Sequence, residues 1–517
     1  MKRFLAAVAL TVVTLLAGCA TAPKPPTWSP GPASTALAPQ STGSLATLET
    51  QIQQRAGPDE SGFMLLDANE EGLRWRLAMI DSAKHSLDMQ YYVWWGDESG
   101  SILMARVIDA ANRGVRVRIL LDDLSTMLKD ESHPQLRDTV IAAIDAHPNI
   151  EIRLFNPWQE RPLYARLFEM FQQMDRLNYR MHNKQLVADN RAAIIGGRNI
   201  GNEYFGLSPE FNFRDLDVLG VGPVARQASA VFDTFWNSDM VMPVAALELP
   251  SRPDTLEAEL APVRKELAAA PSLARFPVPA QDWSAALAKL PADMHFGTSR
   301  VFTDLPDGVK VKHQMPAMVR ELLATAKGEV MITNAYIIPG DSALARMSEQ
   351  IRQGVKYRML TNSLASHDVP AVNSHYRQWR RPLLEAGVDL YEIRADAAVQ
   401  PILADTPPTK AHFMGLHVKA MVVDRDRVFI GSMNLDPRSW ALNSEMGVIV
   451  ESPSLASELA NAMERDMRPE NAWHVVLAPN GSIRWVSGDT TLTAQPARSF
   501  WQRVQDAIFV VVPKEYY

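Results

Sequence analysis

One pattern of residues occurs twice in this chain, and it dictates a duplicated fold. The stretch "RMHNKQLVADNRAAIIGGRN" (180–199) is matched by "LHVKAMVVDRDRVFIGSMN" (416–434). In both, lysine follows histidine by two, aspartate follows histidine by seven, and glycine and asparagine follow that aspartate by seven and ten. His182, Lys184, Asp189, Gly196 and Asn199 thus correspond to His417, Lys419, Asp424, Gly431 and Asn434. Each fixed position has about a one-in-twenty chance by composition alone, so five matched pairs are a repeat and not a coincidence.

The surroundings of the two stretches repeat as well. "HSLDMQYYVWW" (85–95) has strand alternation, "SGSILMARVIDAANRG" has helical spacing stopped by Gly114, and "VRVRILLDD" is a second strand. The second half repeats that order with "EVMITNAYIIP", "SALARMSEQIRQG" and "VKYRMLTNS". "LLEAGVDLYEI" (383–393) then takes the place of "AIDAHPNIEIRLF" (143–155). A strand, helix, strand unit implies parallel strands joined by a crossover. The expected fold class is α/β, with two similar halves about a pseudo-twofold axis, each a mainly parallel sheet flanked by helices. The halves are expected at 60–240 and 301–517, joined by a partly helical, Ala/Pro/Leu-rich linker at 241–300.

The front of the chain reads differently. Lys2 and Arg3 precede an apolar run from Phe4 to Ala17, too short for a permanent span and shaped like a secretory signal. Leu16-Ala17-Gly18-Cys19 follows, and Cys19 is the chain's single cysteine. Leu-Ala-Gly-Cys resembles the lipobox of bacterial lipoproteins, in which the cysteine is acylated and becomes the mature N-terminus. Residues 1–18 are then signal, and 19–59 a lipidated cysteine and a Pro/Ser/Thr/Ala-rich tether holding the protein at a membrane. Ala20 is not the aspartate that retains many such lipoproteins at the inner membrane, so the resemblance implies the periplasmic side of the outer membrane.

On a strand, His182 and Lys184 at i and i+2 project from one face. Asp189, counted with the motif's catalytic set as Asp424 is, has the opposite parity, which suits support better than chemistry. The glycines let backbone approach a ligand closely, and Asn199 can offer an amide donor there. A net charge of −7 and the lack of a long basic block make nucleic acid an unexpected partner. The chain has no CxxC, HExxH, P-loop or GxSxG pattern, and no cofactor or metal is expected.

Two HxKxxxxD motifs resemble those of the phospholipase D superfamily, and the fit is closest to bacterial class C cardiolipin synthases. "LDMQYYVWWGDESG", "RGVRVRILLDD", "TNSLASHDVPAVNSHY" and "GSMNLDPRSWALNSE" extend the resemblance over about 60–517. It implies phospholipid substrates and ping-pong transfer of a phosphatidyl group through a phosphohistidine. His182 is the expected nucleophile and His417 the general acid. Lys184, Lys419, Asn199, Asn434 and Ser432 would hold the nonbridging phosphate oxygens. Histidines need a carboxylate to fix the tautomer. Asp215 and Glu445, each eight residues before a proline (Pro223, Pro453), are the paired candidates, with Glu203 competing in the first half. Hydrolysis to phosphatidic acid, a nucleic-acid phosphodiesterase and a catalytically dead lipid-binding module are the alternatives.

Overall fold

The computed structural model describes residues 28–123, 134–158, 169, 173–248, 256–308 and 310–509. The first half contains β1 (Ser61–Leu66), β2 (Ser86–Tyr91), β3 (Arg116–Asp122), β4 (Ile150–Phe155), β5 (Gln185–Ala188), β6 (Ala192–Gly196), β7 (Phe211–Arg214), β8 (Asp217–Val221) and β9 (Val241–Pro243). Its sheet runs β9-β4-β3-β2-β5-β6-β8-β1. β10 (His295–Thr303) pairs with β1 through its first residues, and a small hairpin of β11 (Leu305–Asp307) and β12 (Lys310–Lys312) follows.

The second half contains β13 (Glu329–Asn334), β14 (Lys356–Asn362), β15 (Asp389–Ile393), β16 (Phe413–Leu416), β17 (Lys419–Val423), β18 (Arg427–Gly431), β19 (Met446–Glu451) and β20 (Ala472–Leu477), with β21 (Ile483–Ser487) and β22 (Thr490–Leu492) on its edge. The order β20-β15-β14-β13-β17-β18-β19-β10 repeats the first half strand for strand. Two α/β halves flanked by helices are therefore present, with one correction: the sheets are not mainly parallel. Only β2–β3–β4 and β13–β14–β15 run parallel, and every other neighbour within each sheet is antiparallel. β5–β6 and β17–β18 are joined by tight turns, and a tight turn can only reverse the chain.

Strand alternation explains how the halves pack. Leu186, Ile194 and Leu219 point outward into a core shared with the helices Asn69–Ser82 and Glu98–Asn112. Val187, Ile195 and Val218 point inward, into one core with Val422, Val428, Ile430 and Val448 of the second half. Both faces of each sheet are covered, so the central strands carry apolar residues on both sides. The two repeated motifs run into β5 and β17, with His182, Lys184 and His417 just before those strands and Lys419 at the start of β17, at the seam between the two sheets.

The segment expected to be a free tether is partly built into the fold. Ser34 N and Ala36 N donate to Asn237 and Asp233, while Arg118 and Arg153 donate to the carbonyls of Ser34 and Pro32. Ser44–Ala56 is a helix whose Leu45, Leu48 and Ile52 are buried. Cys19 and the rest of 1–27 lie outside the described residues. Among those described, no helix is long and apolar enough to cross a membrane.

Candidate active site

Each histidine is held by the half it does not belong to. His182 N donates to Ser444 O at 2.8 Å, and His417 N donates to Arg214 O at 2.8 Å. These bonds belong to two equivalent parallel contacts, the Met181–Ser444 bridge and the β7–β16 pair with Arg214 opposite Leu416. In each contact, the residue before a histidine lies beside the residue before the other half's carboxylate. The strand ends lock the same geometry from behind: Asp122 accepts from Met181 N and Asn362 from Leu416 N, both at 2.8 Å.

The side chains then meet crosswise. His182 Nδ1 lies 3.0 and 2.9 Å from the two oxygens of Glu445, and His417 Nδ1 lies 2.7 Å from Asp215 Oδ2. An ionised carboxylate can only accept, so each Nδ1 carries a proton. Each Nε2, which meets neither carboxylate, is left for the chemistry, as a lone pair on a neutral ring or as an N–H on a protonated one. Glu203, the competing orienter, sits instead on the short turn Asn202–Tyr204, where its charge acts on Asp97.

The glycines have a different use from the one expected. A Cβ on Gly197 would lie 2.3 Å from Asp215 Oδ1, so the missing side chain admits the carboxylate, not a ligand. At the equivalent place in the second half stands Ser432, whose hydroxyl donates to Glu445. Ser439 donates to the other Glu445 oxygen at 2.9 Å. Gly with the shorter Asp, and Ser with the longer Glu, fill the same space in two ways.

Lys184 Nζ and Lys419 Nζ each donate to the carbonyl of the histidine two residues earlier, at 2.6 Å. An ammonium has three donors, so both retain capacity for an anion. Burial lowers Lys184 well below the ordinary lysine range and brings Lys419 down to about 8. Burial, reinforced by the lysine charges, also lowers both imidazoles, His182 the more strongly. Lys184, Lys419 and His417 all act electrostatically on His182, so the two motifs form one charged cluster. Burial raises Glu445 to about 7. Burial raises Asp215 too, but the charges of His417 and Lys419 outweigh it and hold that carboxyl below its usual range.

The asparagines differ. Asn199 accepts from Val93 N at 3.3 Å and donates to the Tyr204 hydroxyl at 2.9 Å. The Asn434 side-chain oxygen is buried without a hydrogen-bond partner. Several residues here are absent from the motif reading. Tyr92 and Tyr204 stand edge-on to His182 and His417, at 5.1 and 5.2 Å between ring centroids. Phe213 lies 4.8 Å from His417. Asp368 accepts from the Tyr336 hydroxyl and acts electrostatically on Lys419, as does Asp436, whose own carboxyl burial raises to about 7. Asp368 belongs to "TNSLASHDVP", whose polar residues after a strand were the available signal.

The motif aspartates stand away from the imidazoles. Asp189 accepts from Lys84 N, His85 N and Ser86 N, and Asp424 from Lys327 N, Gly328 N and Glu329 N. Each opens a hairpin turn with two consecutive positive φ angles, 53° and 54° at Asp189–Asn190 and 54° and 51° at Asp424–Arg425. That is the type I′ pattern, in which Asp is tolerated. The aspartates splice the motif hairpin to the start of the neighbouring strand, and their place in a catalytic set is corrected to a supporting one. Among the described residues no His, Cys, Asp and Glu side chains are grouped so as to hold a metal ion.

Residues 77–236 and 319–467 match the family model described as cardiolipin synthase, phospholipase D-like domain. Cardiolipin synthase C of Escherichia coli (strain K12) is 35% identical over 477 residues, covering 89% of this chain and 96% of that protein. The chain belongs to the phospholipase D-like cardiolipin synthase family. Another family relative, cardiolipin synthase B of the same strain, is 27% identical over 388 residues, covering 75% of this chain and 76% of its own length. The fold is also that of a phosphatidylserine synthase from Haemophilus influenzae Rd KW20, with a TM-score of 0.54 at 14% identity over 81% of this chain and 91% of that one. The two family segments each enclose one His–Lys motif and one of the crossed carboxylates.

Proposed function

We propose that this phospholipase D-type phosphatidyltransferase transfers a phosphatidyl group from one phospholipid to the alcohol of another, giving a cardiolipin-type product. The observation that carries the reading is the crossed pair of histidine–carboxylate contacts around two buried lysines with donors to spare. A phosphodiester resists attack because its anionic oxygens repel nucleophiles, and the site offers charge, nucleophile and acid together.

His182 Nε2 attacks phosphorus and forms the N–P bond, while the P–O bond to the leaving alcohol breaks. The departing alkoxide takes the proton from His417 Nε2. His417 then removes the proton of the incoming hydroxyl, whose oxygen displaces His182 and restores the diester. The electrostatics favour this division of roles. The more strongly depressed His182 stays neutral and nucleophilic, while the firmly ionised Asp215 helps His417 carry a proton. Lys184, Lys419 and the side-chain N–H of Asn434 are the phosphate donors. Asn199, whose amide donates to Tyr204, and Ser432, whose hydroxyl serves Glu445, act at one remove. Acylation of Cys19 would hold the enzyme on the periplasmic face of the outer membrane, within reach of its lipids.

Purified protein incubated with phosphatidylglycerol vesicles should yield cardiolipin and glycerol by mass spectrometry. Phosphatidic acid alone would establish a hydrolase instead. A clickable palmitate analogue should label the wild type in cells and spare Cys19→Ser; equal labelling would remove the anchor from the scheme.

A further inference from the structure

The helix Phe500–Phe509 is turned inside out. Its fully buried residues are Gln502 and Asp506, and its large exposed ones are Phe500, Trp501 and Ile508, which are 75%, 71% and 60% exposed. An ordinary water-facing helix has the opposite arrangement. Among the described residues six large apolar side chains are exposed, and three of them are on this one helix. Phe500, the half-buried Val504 and Ile508 are spaced by four, and Trp501 flanks them, so one apolar stripe about 12 Å long has its two ends and Trp501 exposed.

The buried polar face is fully engaged, which fixes the helix in this orientation. Asp506 accepts from Asn373 at 2.6 Å, Gln495 at 2.8 Å and Arg377 at 3.1 Å. Gln502 donates to Leu364 O and accepts from Arg498 N. No acidic side chain lies on the outward stripe; Arg498 precedes the helix and Arg503 lies in its first turn. Arg503 is anchored on Gln495 O.

The helix is linked to the catalytic site through packed side chains. Leu364, which it grips, begins the loop leading to Asp368, and Asp368 senses the charge of His417. On another path the Arg498 guanidinium lies 3.4 Å from the Phe413 ring centroid. Phe413, Phe211, Phe213 and His417 then follow at 4.8, 4.5 and 4.8 Å between successive centroids.

We infer that the Phe500, Trp501 and Ile508 face of this helix is a membrane-docking surface that seats in the interface of an anionic phospholipid bilayer beside the active site. Aromatic and aliphatic side chains enter the boundary between headgroups and acyl chains, and the guanidinium N–H groups of Arg503 that its bond to Gln495 O leaves over meet anionic headgroups. The inference rests on the phosphatidyltransferase reading, in which the substrate lies in that bilayer. Docking here would spare the enzyme from lifting a two-chain lipid through water.

The test uses full-length protein and two substrates, vesicles of phosphatidylglycerol with phosphatidylethanolamine, and dihexanoyl phosphatidylglycerol dispersed as monomers. Phe500→Ser/Trp501→Ser/Ile508→Ser should lower vesicle turnover about tenfold or more and leave monomer turnover within about twofold. Phe500→Leu/Trp501→Phe/Ile508→Leu should retain vesicle turnover. With brominated acyl chains in the vesicles, wild-type tryptophan fluorescence should show a quenched component that Trp501→Phe lacks. Unchanged vesicle turnover in the serine variant overturns the inference. So does an equal fall on both substrates, which would make the helix a support for the fold. Self-association lost in the serine variant with vesicle turnover intact would make the face a protein interface and overturn it too. If the wild type transforms neither substrate, the phosphatidyltransferase reading falls, and the quenching difference alone decides docking.

Discussion

His182 and Glu445 stand 263 residues apart in the chain, and their side chains meet at 2.9 Å across the boundary between the halves. His417 and Asp215 make the reciprocal contact at 2.7 Å. Neither half therefore holds a complete catalytic unit, and the strand contacts that dock the halves are the ones that aim the imidazoles. The duplication stores half of each histidine's environment in the other repeat.

The pairing should be readable one histidine at a time. Asp215→Asn should move the ring ¹⁵N resonances of His417 and leave those of His182 in place; Glu445→Gln should do the reverse. Both should lower kcat on the order of 10³–10⁴-fold, as loss of an orienting carboxylate does in a Ser-His-Asp triad. A shift of the same-half histidine in either variant would sink the crossed arrangement.

Activity should peak in a narrow window near neutral pH. Glu445, raised by burial to about 7, takes up a proton below that value and ceases to support a positively charged His182. Lys419, lowered by burial to about 8, loses its proton above that value and with it the attraction for phosphate. The profile of kcat/KM should be bell-shaped, with limbs near 7 and 8. Lys419→Arg should push the alkaline limb upward, because a guanidinium keeps its proton. An alkaline limb that stays near 8 in that variant would belong to another group.

Glu445 also carries a stability cost. Its folded pKa lies above the unfolded value, so the folded state binds more protons between roughly 4.5 and 7, and its contribution to stability is lost as pH rises through about 7. Glu445→Gln, which cannot ionise, should therefore be more stable than wild type at pH 8, by about 1–3 kcal/mol, while nearly inactive. Denaturant melts at pH 5 and pH 8 give the comparison; a variant less stable at pH 8 would show that the Ser432 and Ser439 bonds outweigh the buried charge.

Asp189→Ala and Asp424→Ala should act through the fold. Each leaves three backbone N–H groups without their carboxylate, at a cost of about 2–4 kcal/mol. Asp189 is buried and Asp424 partly exposed, so water can replace more of the second loss and Asp189→Ala should be the worse variant. For Asp424 burial raises the carboxyl, but the backbone N–H groups hold it below the usual range. Its stabilisation is thus present above the unfolded pKa and disappears as pH falls through the folded one. Thermal melts should show these losses, with kcat at low temperature reduced far less than by any histidine change. Wild-type stability with activity abolished would return the aspartates to the chemistry.

Much of this site was legible because duplication turns weak single-residue signals into paired ones. His182/His417 and Asp215/Glu445 could be named from equal spacing and from their distance to a following proline. The crossing could not, since spacing says nothing about which half's carboxylate a ring meets. The expectation of mainly parallel sheets extends to the whole sheet what holds only for the strand, helix, strand units, which do run parallel, while the hairpins β5–β6 and β17–β18 and their neighbours are antiparallel. Residues 28–43 read as tether because they lack periodicity, yet Ser34 is held through its backbone, which composition does not encode. The last helix escaped notice for the same kind of reason. Its pattern is amphipathic either way round, and only the partners of Asp506 decide which face is buried.

The two histidines should be separable by their leaving group. His182→Ala should form no covalent intermediate from any substrate, because no nucleophile remains. His417→Ala should still form one from a phosphatidyl p-nitrophenyl ester, whose phenolate departs without help. That intermediate should then persist, because the base that activates the acceptor is missing. The environments argue for this order, since Asp215 is the better ionised carboxylate and His417, its partner, is the ring better able to hold a proton. Peptide mapping of protein kept at alkaline pH, where phosphohistidine survives, should place the label on His182. A label on His417 with His182 unmodified would exchange the two roles, and the difference between Asp215 and Glu445 would then need another explanation.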